Sequence, residues 1–206
     1  MRLVLPFGIL ALIATPGHGA PNEIPLVAVG LPFEPETPRP IAATHVLYRH
    51  LQVAEIEGLP STIKSSRLNF IAAAKRSSVN AALRETFERM NLLAPDGGVA
   101  HVRLTATWEG SETPFHIGSS NEATVTLRYH LVRIDDARIL FDRRITTSAA
   151  GGGADASMRD NGIIRAAIAA NFASAANCID HAAYGTAPSE CALTPKFSVS
   201  VSVVRR

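Results

Sequence analysis

Three stretches in the middle of the chain alternate between apolar and polar side chains. Val102, Leu104, Ala106 and Trp108 alternate with His101, Arg103, Thr105 and Thr107. After a loop over 109–120, Ala123, Val125, Leu127, Tyr129 and Leu131 alternate with Thr124, Thr126, Arg128 and His130. Beyond a tight Asp135-Asp136 turn, Ile139, Phe141 and Ile145 stand against Asp142, Arg144 and Thr146. Successive strand side chains point to opposite faces, so a period of two predicts strands with one buried and one wet face. An antiparallel meander covered on one side is expected.

Two helical patterns flank the meander. Val79, Ala82, Leu83, Phe87 and Met90 recur at helical spacing, opposed by Arg84, Glu85, Glu88 and Arg89. Leu68, Ile71 and Ala72 extend this stripe back toward Ser66, and Pro95-Asp96-Gly97-Gly98 ends it. The second pattern follows Gly151-Gly152-Gly153, read as a flexible turn, with Asp155 or Ser157 as N-cap. Its stripe is Ile164, Ala167, Ile168, Phe172, Ala175 and Ile179, rich in small residues that allow close approach to a sheet. Before the first helix, His45 to Ile56 reads as a strand ending at Gly58-Leu59-Pro60. The order β-α-β-β-β-α, over 41–182, predicts an α+β two-layer sandwich: a mostly antiparallel sheet with two helices on one face. In 183–206, Phe197, Val199, Val201 and Val203 alternate with polar residues and form either an added edge strand or a frayed tail.

The N-terminus reads as an address. Arg2 precedes an apolar run from Leu3 to Ala14, broken by Pro16 and Gly17, with Gly17 and Gly19 at −3 and −1 of a cleavage after Gly19. This is the pattern of a secretory signal peptide over 1–19, and the run is short for a membrane span. No cysteine follows to receive a lipid, so the mature protein is expected to be periplasmic or secreted, without a transmembrane segment. Residues 20–40 carry Pro21, Pro25, Pro32, Pro35, Pro38 and Pro40 and read as an extended arm. The only cysteines, Cys178 and Cys191, are expected to pair in an oxidising compartment and tie down the C-terminal segment.

Composition narrows the function. With 47% hydrophobic and 18% charged residues, the 206-residue chain can bury a core. A net charge of +2 gives no electrostatic case for binding nucleic acid. Seven histidines invite a search for a metal, but His18 falls in the leader, and His45 and His50 are expected on opposite faces of one strand. No H-E-x-x-H, G-x-S-x-G or P-loop pattern occurs, so no catalytic residue, metal ligand or cofactor is assigned.

Several segments together resemble a known group. The run Ala123-Thr124-Val125-Thr126-Leu127-Arg128-Tyr129-His130-Leu131, then Phe141-Asp142-Arg143-Arg144-Ile145, then Arg165-Ala166-Ala167 with Ala170-Asn171-Phe172, is similar to a family of small exported bacterial envelope proteins. The family's architecture is similar to that of the auxiliary lipoproteins of envelope ABC transporters and of the lipopolysaccharide-assembly lipoprotein. The resemblance covers roughly 45–180 and implies an accessory role. Two features depart from it: the lipoprotein cysteine is missing, and no hexapeptide repeats occur to match the acyltransferase label that members sometimes carry.

Two features stand out as candidates. Asn171 falls within the apolar stripe of the second helix, where a buried amide is expected to hydrogen-bond a backbone group of the sheet or the first helix. Arg103, Thr105, Thr107, Thr124, Thr126, Arg128, His130 and Arg144 fall on the wet face of the sheet, a cationic, hydroxyl-rich surface suited to an envelope protein partner or an anionic lipid. The leading expectation is a non-enzymatic accessory or binding protein of the envelope, assisting lipid transport or envelope assembly. The alternatives are a small secreted hydrolase or transferase with an unrecognised site, assembled from His101, His130 and a loop carboxylate such as Glu112, and a secreted inhibitor or effector acting through the arm or the 109–120 loop.

Overall fold

The computed structural model describes Leu26, Phe33–Glu34, 38–65, 72–114, 120–153, 155–184, 193–195 and 199–201. The expected leader at 1–19, most of the proline arm, the 115–119 loop segment, Cys191, Phe197 and Val203 lie outside these residues. The elements are β1 (Phe33–Glu34), β2 (Leu51–Val53), β3 (Thr62–Ile63), β4 (Ala74–Lys75), α1 (Arg76–Arg89), β5 (Val102–Glu112), β6 (Ser120–Arg133), β7 (Ile139–Gly153), α2 (Ala156–Ala183), β8 (Thr194–Pro195) and β9 (Val199–Val201).

The architecture is α+β, as the two periodicities predict. The central sheet runs β2-β5-β6-β7-β9. Its middle is the antiparallel meander β5-β6-β7, and both edges are short strands that pair in parallel, β2 with β5 and β9 with β7. Val102, Leu104, Ala106, Ala123, Val125, Leu127, Tyr129, Leu131, Phe141 and Ile145 are all buried on the face that meets α2. Their polar neighbours in the alternation take the other face.

Helix α2 is more than an amphipathic cover. It is buried almost all round from Arg159 to Ile179, because β6 and β7 lie against one side while α1, β8 and β9 also touch it. Its length and apolarity would suffice to cross a membrane, but 94% of its most apolar window is buried inside the fold, as befits a core helix. The alanines bring its backbone close to its neighbours, and Asp155 caps its start, accepting from the Met158 N–H at 3.0 Å. Ser174 Oγ accepts from the Leu193 N–H at 2.7 Å, fastening the C-terminal segment to the helix.

Several boundaries differ from the sequence reading. Within His45–Ile56 only Leu51–Val53 forms a strand. Most of 43–49 turns instead, held to the loop after α1 by Arg49 N–H to Asn91 O (2.8 Å) and Asn91 Nδ2 to Ile41 O (3.1 Å). Helix α1 starts at Arg76, because Ala74 and Lys75 pair with Ile63 and Thr62 as a small hairpin. Leu68 and Ile71 lie outside the described residues. Gly151–Gly153 is no turn: it is the end of β7, with Gly151 and Gly152 opposite Asn121 and Ser120, and all three residues opposite β9 on the other side. The proline arm is tied down where it is described, since Leu26 is buried and β1 pairs with β8. Val199–Val201 is an edge strand. Cys178 is buried on α2 and is no free thiol, while its expected partner lies outside the described residues.

One polar cluster sits inside this core. Asn171 is fully buried, and its Nδ2 donates to Ile145 O (2.9 Å), Val125 O (3.2 Å) and Thr147 Oγ1 (3.2 Å). Tyr129 OH donates to Asn171 Oδ1 at 2.8 Å, and Thr147 Oγ1 donates to Ala167 O at 2.8 Å. The two carbonyls can only accept, which fixes the orientation of the amide. Two hydrogens serve three acceptors, so the site is satisfied and α2 is bonded to both β6 and β7.

Truncating Asn171 leaves the Tyr129 hydroxyl buried without its acceptor, so N171A is expected to lose about 2–3 kcal/mol in urea unfolding, and Y129F about 1 kcal/mol. The double variant should lose less than the sum, and strict additivity would contradict the network. Burial also pushes the Tyr129 phenol well above its ordinary 10.0. The unfolded chain therefore binds fewer protons than the folded one above that pH, and stability should fall as pH rises past it. Y129F should flatten part of that decline.

Candidate functional site

The open face of β5, β6 and β7 gathers the polar residues singled out in the sequence. Register places Thr107, Arg128 and Arg144 in one row across the three strands, and Thr105, His130 and Asp142 in another. Thr126 faces Thr146, their hydroxyls 2.9 Å apart, and Thr124 lies between Glu112 and Ser148. Arg103 stands exposed at the end of the face where β5 begins.

A cross-strand pair of arginines should repel. Two carboxylates relieve it. Asp142 binds Arg128 through two parallel bonds, Nε to Oδ1 and Nη2 to Oδ2, both 2.8 Å. Glu109 takes Arg144, with Arg144 Nη2 donating to Glu109 Oε1 at 3.2 Å and Nε close to Oε2. Glu109 follows Arg103, Thr105 and Thr107 in the alternation and sits at a bulge: the β5-β6 register shifts between Trp108 and Gly110, leaving Glu109 unpaired and turning the strand beyond it by one residue. Gly110 has φ 154°, a conformation that favours glycine. The shift also carries Glu112 onto the open face.

The cationic surface expected from sequence is therefore corrected. Arg128 and Arg144 are each neutralised, and Glu112 and Glu122 add negative charge at the far end. Hydrogen bonding to Arg128 holds the Asp142 carboxyl below its ordinary 3.8, helped by the charges of Arg128 and His130 and opposed by partial desolvation. Asp142 lay in plain view on the polar side of its strand. Glu109 did not, because the sequence reads as a strand ending at Trp108 with a loop over 109–120, whereas β5 runs on to Glu112.

The histidines do not converge. His101 packs edge-on against His50, ring centres 4.5 Å apart, just before β5 begins. His130 lies opposite Thr105, whereas Glu112 lies opposite Thr124, roughly 20 Å away at about 3.3 Å per residue. The hydrolase arrangement of His101, His130 and Glu112 thus has no common centre. Among the described residues, no three His, Cys, Asp or Glu side chains gather as metal ligands.

A separate cavity of about 730 Å³ opens between 38–45 and the C-terminal end of α2, lined among others by Arg39, His45, Asn177, Asp180 and Tyr184. His45 is nearly buried, with Tyr184 edge-on at 4.8 Å. Its Nδ1 accepts from the Leu47 N–H at 3.0 Å, and its Nε2 lies 2.7 Å from Asp180 Oδ1, off the line of a hydrogen bond. Sequence reasoning missed the pair because His45 and Asp180 stand far apart in the chain and only the turn at His45 joins them.

No family model matches the chain, and no curated protein does. Three solved structures align with it. Protein XCC0632 of Xanthomonas campestris, from family DUF330, aligns at TM-score 0.57 and 15% identity over 71% of this chain and 92% of its own. A candidate lipoprotein of Caulobacter crescentus aligns at 0.44 and 12% identity, over 68% and 94%. The hypothetical protein CT253 of Chlamydia trachomatis aligns at 0.47 and 9% identity, over 66% and 97%. At 15% identity the likeness to protein XCC0632 concerns the fold alone.

The charge pairing has a direct test. In a carboxyl-detected NMR titration, Asp142 should titrate below 3.8, and R128A should return it toward that value. An ordinary Asp142 titration in the unaltered protein would contradict the pairing.

Proposed function

We propose that this chain is an exported, non-catalytic binding component of the bacterial cell envelope that docks a protein partner on the open face of β5–β7. One observation carries the reading: three long strands present a polar face whose central charges are already paired, while the apolar side chains are committed to the other side. Arg128 and Arg144 bring their own counter-charges into an interface, so a partner need not supply them, although the pairs must still be desolvated. A charge-balanced face gives little attraction to an anionic lipid, which favours a protein. The leader pattern at 1–19 supports an extracytoplasmic location, and the scatter of His101, His130 and Glu112 favours binding over catalysis.

A photo-reactive residue at Thr126 tests the reading, with the same residue at exposed Arg84 on α1 as the control. In intact envelopes the Thr126 probe should give a discrete protein adduct and the Arg84 probe none. Lipid adducts alone, equal labelling from both positions, or no adduct from Thr126 would overturn it.

A further inference from the structure

The open face is electrically lopsided. Among the described residues, Arg103 at one end of β5 makes no ion pair, and neither do Glu112 at the other end nor Glu122 beside it on β6; all three are exposed. Between them lies the neutralised row of Thr107, Arg128 and Arg144. Arg103 and Glu112 are almost equally distant from that row along β5, on opposite sides of it.

This pattern is self-complementary. A two-fold axis lying in the interface along the Thr107–Arg128–Arg144 row turns a second copy face to face and reverses its strands. It sets β5 over β5, with Arg103 of each copy over Glu112 of the other. The same residues then meet twice, as an isologous contact requires. At the axis Arg128 meets its own copy, but each already carries the Asp142 carboxylate, so the close approach is not a bare repulsion. We propose that the protein partner of this face is a second copy of the chain, stacked antiparallel through β5–β7. The proposal rests on the docking-face reading and names its occupant.

The size of the face sets the strength expected. Strands of 11 to 15 residues, at about 3.3 Å per residue and about 4.8 Å between strands, give a flat patch of roughly 30 by 15 Å. That is at the small end for a specific interface, so the pairing should depend on concentration.

Sedimentation velocity of the purified protein over a concentration series tests this. A monomer–dimer equilibrium is expected, weakened by added salt. R103E and E112R should each raise the dissociation constant about tenfold, and R103E/E112R, which restores opposite charges across the axis, should return it to near the starting value. Both side chains are exposed and unpaired, so the variants should keep the parent circular dichroism. A monomer at every concentration, or a double variant as weak as the singles, would overturn the proposal. If the purified protein stays monomeric while the Thr126 probe still captures a different envelope protein, the dimer falls and the docking face stands. If the protein dimerises but Thr126 gives no adduct, the docking reading fails.

Discussion

Everything in this fold is arranged around one amide. Asn171 lies at the centre of α2, where an alanine-rich surface would permit several positions against the sheet at similar cost. Apolar burial, at about 1.5–3 kcal/mol for each large side chain, supplies most of the attraction but little register. The amide supplies register, because its hydrogens must meet carbonyls of both β6 and β7 while its oxygen takes the Tyr129 hydroxyl. A slide by one helical turn would take the buried amide and the Tyr129 hydroxyl away from these partners. With the helix fixed, apolar positions of the meander are committed to one side, and the polar positions are presented on the other.

The open face is the complement of that commitment. Its central problem, two arginines directly opposed, is solved by a carboxylate on the neighbouring row and by another at the bulge in β5. The bulge also turns the end of β5 so that Glu112 shares a face with Arg103, giving the surface its two unlike ends. The second polar cluster lies elsewhere: His45, whose Nδ1 accepts from the Leu47 N–H, sets the segment before β2 beside Asp180 at the C-terminal end of α2.

The alternation in β5, β6 and β7 made the sheet and its faces legible, and helical spacing revealed both helices. Asn171 stood out because a polar side chain interrupts an otherwise apolar stripe. What stayed hidden has a common cause, in that each feature depends on partners distant in the chain. Gly151–Gly153 reads as a turn until β9 arrives to pair with it. Ala74 and Lys75 read as helix until β3 claims them. The burial of α2 on all sides needs α1 and the C-terminal segment, which its own stripe cannot announce. Glu109 and Glu112 were hidden for a local reason: the strand reads as ending at Trp108, and the extra residue that follows reverses the faces of 110–112.

If Asn171 and the surrounding burial make α2 the most secure element, native-state hydrogen exchange will show it directly. The amides of 163–179 should exchange only with the free energy of global unfolding, together with those of central β6, while β2 and β9 open at lower cost. Exchange of the α2 amides through a local opening, with β6 still protected, would contradict the account.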